Sequence, residues 1–498
     1  MKTIKLIKST LLALSVVAMT VSCSDFLDVN DNPNDPSIST PGLTLPVAQT
    51  DFAALNARTM TYVGQFFVYN WATPSNWSAN QEFPRYNITT TFNTAIFETS
   101  YAVIFKNLTY IENYEDATGA VDYSSYKVIA KTIKGFQYQY LVDIYGDIPY
   151  TEANLRGANT TPKYDDAETV YKQVIDELTA AADLALNLPG NAENPGSQDV
   201  IFGGDMDKWA QFANSVKLRM LVRLSNTGQD AYIKGEIAKI NANTAGYITE
   251  DVAANPGYSD NAEKQSPFYG YFRNPSTNSQ TDRGDYTVAT DFTINYLTGT
   301  ADPRRERLYA PATTGGAYKG VYQSTLLPGT GFTSNDLSKV GPGLLKSHAQ
   351  DQYIMLLAES KLLQAEAVQR GYIAAGSAET LYNEAIEASF TTLGVPAAVV
   401  AAQTYYAQAL PNVSWASSPN KLQAISTQKW IALNGTSSIE LWVEYTRTGF
   451  PVGLPIPAES GGVRPVRLLY PASEIARNSA NVPTLTNQDA FTKAPFWK

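Results

Sequence analysis

Apolar residues recur at three- and four-residue spacing through most of this chain, the period of helices with one buried stripe. Tyr126, Ile129, Ile133, Phe136, Tyr140 and Ile144 mark the clearest case, a helix over 123–145. The same spacing predicts helices over 44–71, 94–117, 166–187, 205–226, 350–371, 377–394 and 420–447. Asp165 and Glu168 are spaced as a capping box before the stripe Tyr171, Val174, Ile175, Leu178, Ala182 and Ala185, and Leu188-Pro189-Gly190 stops it. Residues 244–348 and 450–498 lack periodicity and are rich in turn formers. The helices fall into consecutive antiparallel pairs: 94–117 with 123–145, 166–187 with 205–226, 350–371 with 377–394, and the two halves of 420–447. The expected fold is mostly α, a tetratricopeptide-like helical-pair scaffold (an α-solenoid) carrying long irregular insertions. Loops held on such a scaffold are where binding is expected.

The N-terminus breaks this pattern. Lys2, Lys5 and Lys8 precede an uncharged run, Leu11 to Val21, too short to span a bilayer. This is the layout of a secretory leader over 1–22. Thr20-Val21-Ser22-Cys23 resembles a bacterial lipobox, and the acidic stretch after it resembles the surface-export signals of Bacteroidota-type lipoproteins. Cys23 is the only cysteine, so it forms no internal disulfide, and acylation there accounts for it. Residues 23–43 read as an acylated, turn-rich tether. Its acids suggest a calcium loop counted from Asp28, but Pro33 and Ser39 stand where such a loop needs Gly and Glu. Residues 44–498 form a single domain in this reading.

Charge and composition narrow the function. The chain holds 37 Lys and Arg against 47 Asp and Glu; loss of the leader removes three lysines and leaves 34 bases. So acidic a protein has no electrostatic attraction for nucleic acid or anionic lipid. One histidine, His348, makes His-dependent catalysis a poor fit, and no nucleophile elbow, dinucleotide or phosphate-binding glycine motif, or zinc signature is present. The 31 Tyr, 19 Phe and 7 Trp suit sugar stacking as well as core packing. Trp209, Trp430 and Trp442 sit on helical stripes and read as core. Lys217, Arg219 and Arg223 lie on a helix apolar nearly all round, so they are expected to pair with acids between repeats. Glu359 and Glu366, seven apart on one face, are natural partners; as a di-metal pair they would need a Glu-x-x-His that the helix lacks.

The candidate binding residues lie outside regular helices. The stretch 66–87 holds Tyr69, Trp71, Trp77, Phe83, Arg85 and Tyr86 among Asn and Ser. The insert adds Phe268, Tyr269, Tyr271, Phe272 and Arg273, then Asp282, Arg283, Asp285 and Tyr286. Aromatic faces rimmed by Asn, Asp and Arg suit a glycan; the alternative use of each ring is to pin its loop to the scaffold.

Seven segments carry a family resemblance. They are "LVDIYGDIPYTEA" (141–153), "KYDDAETVYKQVIDEL" (163–178), "DKWAQFANSVKLRMLVR" (207–223), "DPRRERLY" (302–309), "LLAESKLLQAEAVQRG" (356–371), "TQKWIALNGTSSIELWVEYTRTGFP" (427–451) and "RLLYPASEIARN" (467–478). In this order they resemble the SusD/RagB-like nutrient-binding outer-membrane lipoproteins, and the wording of 427–451 points to the second SusD-like subgroup. The resemblance implies four tetratricopeptide-like pairs; no catalytic residue, metal ligand or cofactor is assigned. It also implies a partner, a TonB-dependent (SusC-like) β-barrel transporter over which the protein sits as a lid, delivering an oligosaccharide or other nutrient. In the family the ligand arc comes from roughly the two loop regions named above. A surface glycoside hydrolase and a peptide-capturing or protein-binding repeat protein are the alternatives.

Overall fold

The computed structural model describes residues 39–498 apart from 75, 76, 78, 262 and 324–332. The leader, Cys23 and most of the tether therefore lie outside the described residues. The first helix, α1 (Pro41–Leu55), passes through a π-helical turn at Asn56–Met60 into α2 (Thr61–Phe67). Next come α3 (Ala95–Thr99), a second π-helical segment at Ser100–Phe105, and α4 (Lys106–Glu112). Then follow α5 (Ser124–Tyr145), α6 (Ala167–Leu186), α7 (Met206–Arg223) and α8 (Asp230–Asn243). The C-terminal part holds α9 (Leu357–Gln369), α10 (Ala378–Leu393), α11 (Ala398–Tyr406), α12 (Lys421–Ala432) and α13 (Ile439–Thr448). Two small antiparallel ladders stitch the insert to this scaffold: β1 (Trp71–Ala72) pairs with β3 (Val288–Ala289), and β2 (Val252–Ala254) with β4 (Gln352–Met355). No described helix is long and apolar enough to cross a membrane.

The expected pairs form. Helix α6 packs between α5 and α7, α9 lies along α10, and α12 leads into α13. The stripe read for α6 is its buried face: Tyr171, Val174, Ile175, Leu178, Ala182 and Ala185 all leave solvent. Its cap is one residue later than the spacing suggested. Asp166 accepts from the Thr169 amide, while the Asp165 carboxylate instead accepts from the Tyr150 and Thr151 amides and holds the "IPYT" turn. That turn begins at Gly146, whose φ of 79° is a conformation open to glycine, and the guanidinium of Arg467 donates to the Tyr145 carbonyl beside it. An early and a late helix meet where α13 packs on α2. Gly64 makes this possible, since a Cβ there would lie 2.0 Å from the Ser438 carbonyl oxygen.

Short helices break up the stretches read as irregular, at Pro267–Phe272, Asp282–Tyr286, Asp291–Gly299, Arg305–Leu308, Ala472–Arg477 and Asp489–Thr492. The candidates Phe268 to Phe272 and Asp282 to Tyr286 therefore stand on helical turns and not outside them. Two further helices were also not legible in the pattern. Helix α8 buries only Ile233, Glu236, Ile237 and Ile240, and α11 only Ala402 and Tyr405, too narrow a stripe to register. The stretch read as one helix over 350–371 opens as strand β4 before α9 begins.

Buried charges tie the pairs together. Arg219 Nη1 lies 3.2 Å from Glu359 Oε1, joining α7 to α9 as expected. Glu366 is held instead by Arg447 from α13, at 2.7 Å through both nitrogens, and by Arg370 at 2.7 Å. Arg223 reaches Glu440 at 2.6 Å and Glu444 at 3.1 Å, and Lys429 reaches Glu440 at 2.7 Å. Lys217 turns to Glu236 at 2.8 Å, a partner supplied by the unforeseen α8. Both α9 glutamates thus face guanidinium groups. Breaking such a pair costs about 3–5 kcal/mol, because it strands a buried charge. The pairs of Arg219 with Glu359, Arg223 with Glu440 and Arg447 with Glu366 link helices from different repeats, so the loss of one strands a charge between them. The three helical tryptophans are buried and satisfied: Trp209 donates to Asp199 (2.7 Å), Trp430 to the Val68 carbonyl (3.1 Å) and Trp442 to the Pro465 carbonyl (2.8 Å).

Candidate functional site

The two loop regions singled out in the sequence meet in space. The β1–β3 ladder places Trp71 opposite Ala289. Tyr69, at φ 61°, turns the chain out of α2, and its carbonyl accepts from the hydroxyls of Thr290 (2.6 Å) and Thr293 (3.0 Å). Most of the rings face inward. Tyr69, Trp71, Tyr86, Phe268, Tyr269 and Phe272 are all buried. The Trp71 ring stands edge-on to Phe272 at 5.6 Å, Tyr86 edge-on to Phe67 at 5.4 Å, and the Tyr69 hydroxyl accepts from the Gln323 amide at 2.9 Å. Tyr269 packs 4.6 Å from the His348 ring and donates to Asn278. As placed here, these six rings fasten the loops to the scaffold and offer no face to solvent.

What remains partly exposed is a smaller set in two groups, Trp77 with Tyr286 and Tyr271 with Arg283, the second resting on the buried Tyr62 ring. Trp77 is half-buried against Ala72, Val288, Val321 and Leu337, with the Tyr286 ring 6.4 Å away. Tyr271 is half-buried, edge-on to Tyr62 at 5.6 Å, and carries the Arg283 guanidinium 4.0 Å above its own ring. The Tyr62 hydroxyl takes a hydrogen bond from the Asn80 amide at 2.7 Å and shares one with Thr287 at 2.9 Å. Burial raises the Tyr271 hydroxyl above its ordinary value although Arg283 pulls the other way, so it stays protonated and free to donate. Exposed Glu82 supplies an acceptor beside these rings. The two groups are linked through Thr287, which follows Tyr286 and bonds Tyr62, and amide, guanidinium and carboxylate groups accompany their rings. Tyr62 and Asn80 went unremarked in the sequence; Tyr62 belongs to the apolar stripe of α2, and nothing in its spacing separates it from core.

Other candidates sit apart from these groups. Arg85 is exposed and pairs with Glu459 at 2.6 Å. Arg273 lines a cleft of about 450 Å³ with Arg307, Pro311 and Tyr318. Asp285 is held by Lys339 at 2.8 Å and by Ser334; burial would raise its carboxyl, but these bonds outweigh it and keep it below the usual range. It is thus a structural acceptor whose partners come from 334–339. Among the described residues no group of three or more His, Cys, Asp and Glu is placed to hold a metal ion.

Comparison with known proteins decides the family. The SusD-like family model described as "Starch-binding associating with outer membrane" matches residues 33–471. The chain belongs to the SusD-like family. Solved structures agree with this SusD-like fold. A chitin-binding protein superposes with a TM-score of 0.74 at 24% identity, covering 92% of this chain and 99% of its own. A SusD homologue from Bacteroides fragilis gives 0.72 at 21%, again with 92% and 99% coverage. A chitin-binding SusD homologue from Flavobacterium johnsoniae gives 0.71 at 23%, with 88% and 94%. At these identities the likeness establishes the fold alone. No curated protein sequence matches the chain significantly.

Proposed function

We propose that this SusD-like chain is a non-catalytic glycan-binding lipoprotein of the outer membrane, anchored through Cys23 and displayed at the cell surface. In this reading it is the lid and delivery partner of a TonB-dependent, SusC-like β-barrel transporter. The observation that carries the proposal is the family match across 33–471, whose description joins starch binding to the outer membrane. Chitin-binding proteins among its structural neighbours favour a glycan over a peptide. The two ring groups joined through Thr287 support the same reading. Trp77, Tyr271 and Tyr286 supply ring surface for the apolar side of a pyranose, while Asn80, Glu82 and Arg283 supply donors and acceptors for its hydroxyls.

Of the fifteen loop candidates, this arrangement puts forward Trp77, Tyr271, Arg283 and Tyr286, with Asn80 added. Trp77→Ala and Tyr271→Ala should each weaken binding of the cognate oligosaccharide about tenfold, near 1.4 kcal/mol, read by calorimetry on whichever member of a glycan array binds best. Unchanged affinity in both variants would remove these rings from the account.

A further inference from the structure

A cleft of about 380 Å³, with an apolar floor and polar groups at its border, lies between the segment 97–102, the loop 149–162 and the short helix Ala472–Arg477. It shares no lining residue with the face around Trp77. Its floor is the half-buried Tyr101 ring, carried on the π-helical segment Ser100–Phe105, an irregularity that often marks a functional site. Its rim is strained: Asn154 and Arg156 hold φ of 58° and 55°, a region that side-chain-bearing residues enter at some cost. Asn154 donates through Nδ2 to the Tyr101 carbonyl at 2.9 Å, which leaves Oδ1 buried without a hydrogen-bond donor. Buried acceptors are rarely left so.

Two guanidinium groups border the same cleft. Among the described residues neither Arg156 nor Arg477 has an ion-pair partner, and Arg156 has only the Tyr110 ring, 5.3 Å from its carbon. The carboxylates in the cleft are engaged by neutral groups: Glu98 by Thr94 and Ser473, Glu474 by Asn478. The cleft adjoins a larger depression of about 840 Å³ that Asn154 and Arg156 also border, where Tyr110 and Tyr114 stand. It therefore offers unpaired donors, an orphaned acceptor, carboxylates with remaining lone pairs and a ring floor.

We propose that this cleft is a second ligand site, for neutral oligosaccharides. Sugar hydroxyls both donate and accept, so a pyranose satisfies Asn154 Oδ1 and the two arginines together. The paired carboxylates disfavour an anionic ligand, which would meet Arg156 and Arg477 but also Glu98 and Glu474. The site would hold a longer glycan at a point distant in sequence from the Trp77 loop, so that one chain engages two stretches of polymer.

The test uses the full chain in detergent against an array of neutral oligosaccharides that includes maltohexaose and chitohexaose, followed by calorimetry on the best binder. The expected result is two sites per chain. Arg156→Ala with Arg477→Ala should weaken one of them at least tenfold and leave the other, while Trp77→Ala does the reverse; both arginines are exposed, so melting should not change. A single site that the arginine variant leaves intact overturns the second site and spares the first. A single site lost in the arginine variant and kept in Trp77→Ala supports the inference and overturns the assignment of Trp77. Failure to bind any oligosaccharide overturns both. Tighter binding of hexaglutamate than of any saccharide at the arginine pair overturns the ligand class.

Discussion

Arg447→Met tests the buried charge network at its best-connected member. Arg447 meets Glu366 through two bonds of 2.7 Å, Glu444 Oε1 at 2.6 Å and Ser225 Oγ at 2.7 Å, with no exposure of its side chain. Methionine fills most of the space but strands part of two carboxylates. Neither is fully abandoned: Glu366 keeps Arg370 at 2.7 Å, and Glu444 keeps Arg223 at 3.1 Å. The expected cost is therefore at the low end for a broken buried pair, about 3 kcal/mol. At about 2.1 cal/mol/K per residue, cooperative unfolding of a chain this size carries an entropy on the order of 1 kcal/mol/K, so the melting point should fall by about 3 °C at pH 7. The pH dependence separates charge from packing. Burial would raise both carboxyls, but in the native protein Arg447 and its neighbours outweigh burial and hold Glu366 and Glu444 below their ordinary range. Their stabilisation is present above the unfolded glutamate pKa, near 4.5, and is lost as pH falls through the lower folded values. In Arg447→Met those carboxyls rise, so the gap from wild type should be widest near pH 7 and narrow below about pH 4.5. Differential scanning calorimetry between about pH 3 and pH 8 reads both effects. A variant that melts within about 1 °C of wild type at pH 7, or a gap that does not change with pH, would refute the reasoning.

Asp143 gives a prediction of opposite sign. Burial pushes its carboxyl up to about 7 despite the pull of Arg223, and Oδ1 has no hydrogen-bond partner. A raised folded pKa means stability present below the unfolded value near 3.8 and lost as pH rises to about 7. Asp143→Asn should therefore match wild type near pH 4 and exceed it above pH 7, by as much as about 4 kcal/mol; urea unfolding at the two pH values checks this, and a variant less stable at pH 8 would contradict it. Cys23→Ala should leave the fold intact and release the protein from membranes, read by fractionation of labelled cells, and persistent membrane association would exclude acylation there.

Helices with a wide buried stripe were legible from the pattern of residues, and so was their pairing, because α5, α6, α7 and α10 bury enough of one face to set a clear period. Helices α8 and α11 were not, since each lends only a few side chains to the core. The pairing of Arg219 with Glu359 followed from charges on an otherwise apolar helix. The capture of Glu366 by Arg447 did not, because it depends on how α13 packs back across α9. The site was legible as two regions and not as residues. An aromatic in a loop looks the same in sequence whether it points out or in. Here Trp71 and Phe272 point in and meet each other, while Tyr271, between two inward rings, turns outward to Arg283. Tyr62 and the arginine-bordered cleft had no sequence signal, since the residues of each converge only on folding.

Purification of the native complex tests most directly whether the chain is the lid of a transporter. The chain, affinity-tagged at its C-terminus and drawn from outer membranes in mild detergent, should bring with it one large β-barrel protein in near-equal amount. Recovery of the chain alone from freshly solubilised, cross-linked membranes would contradict the account.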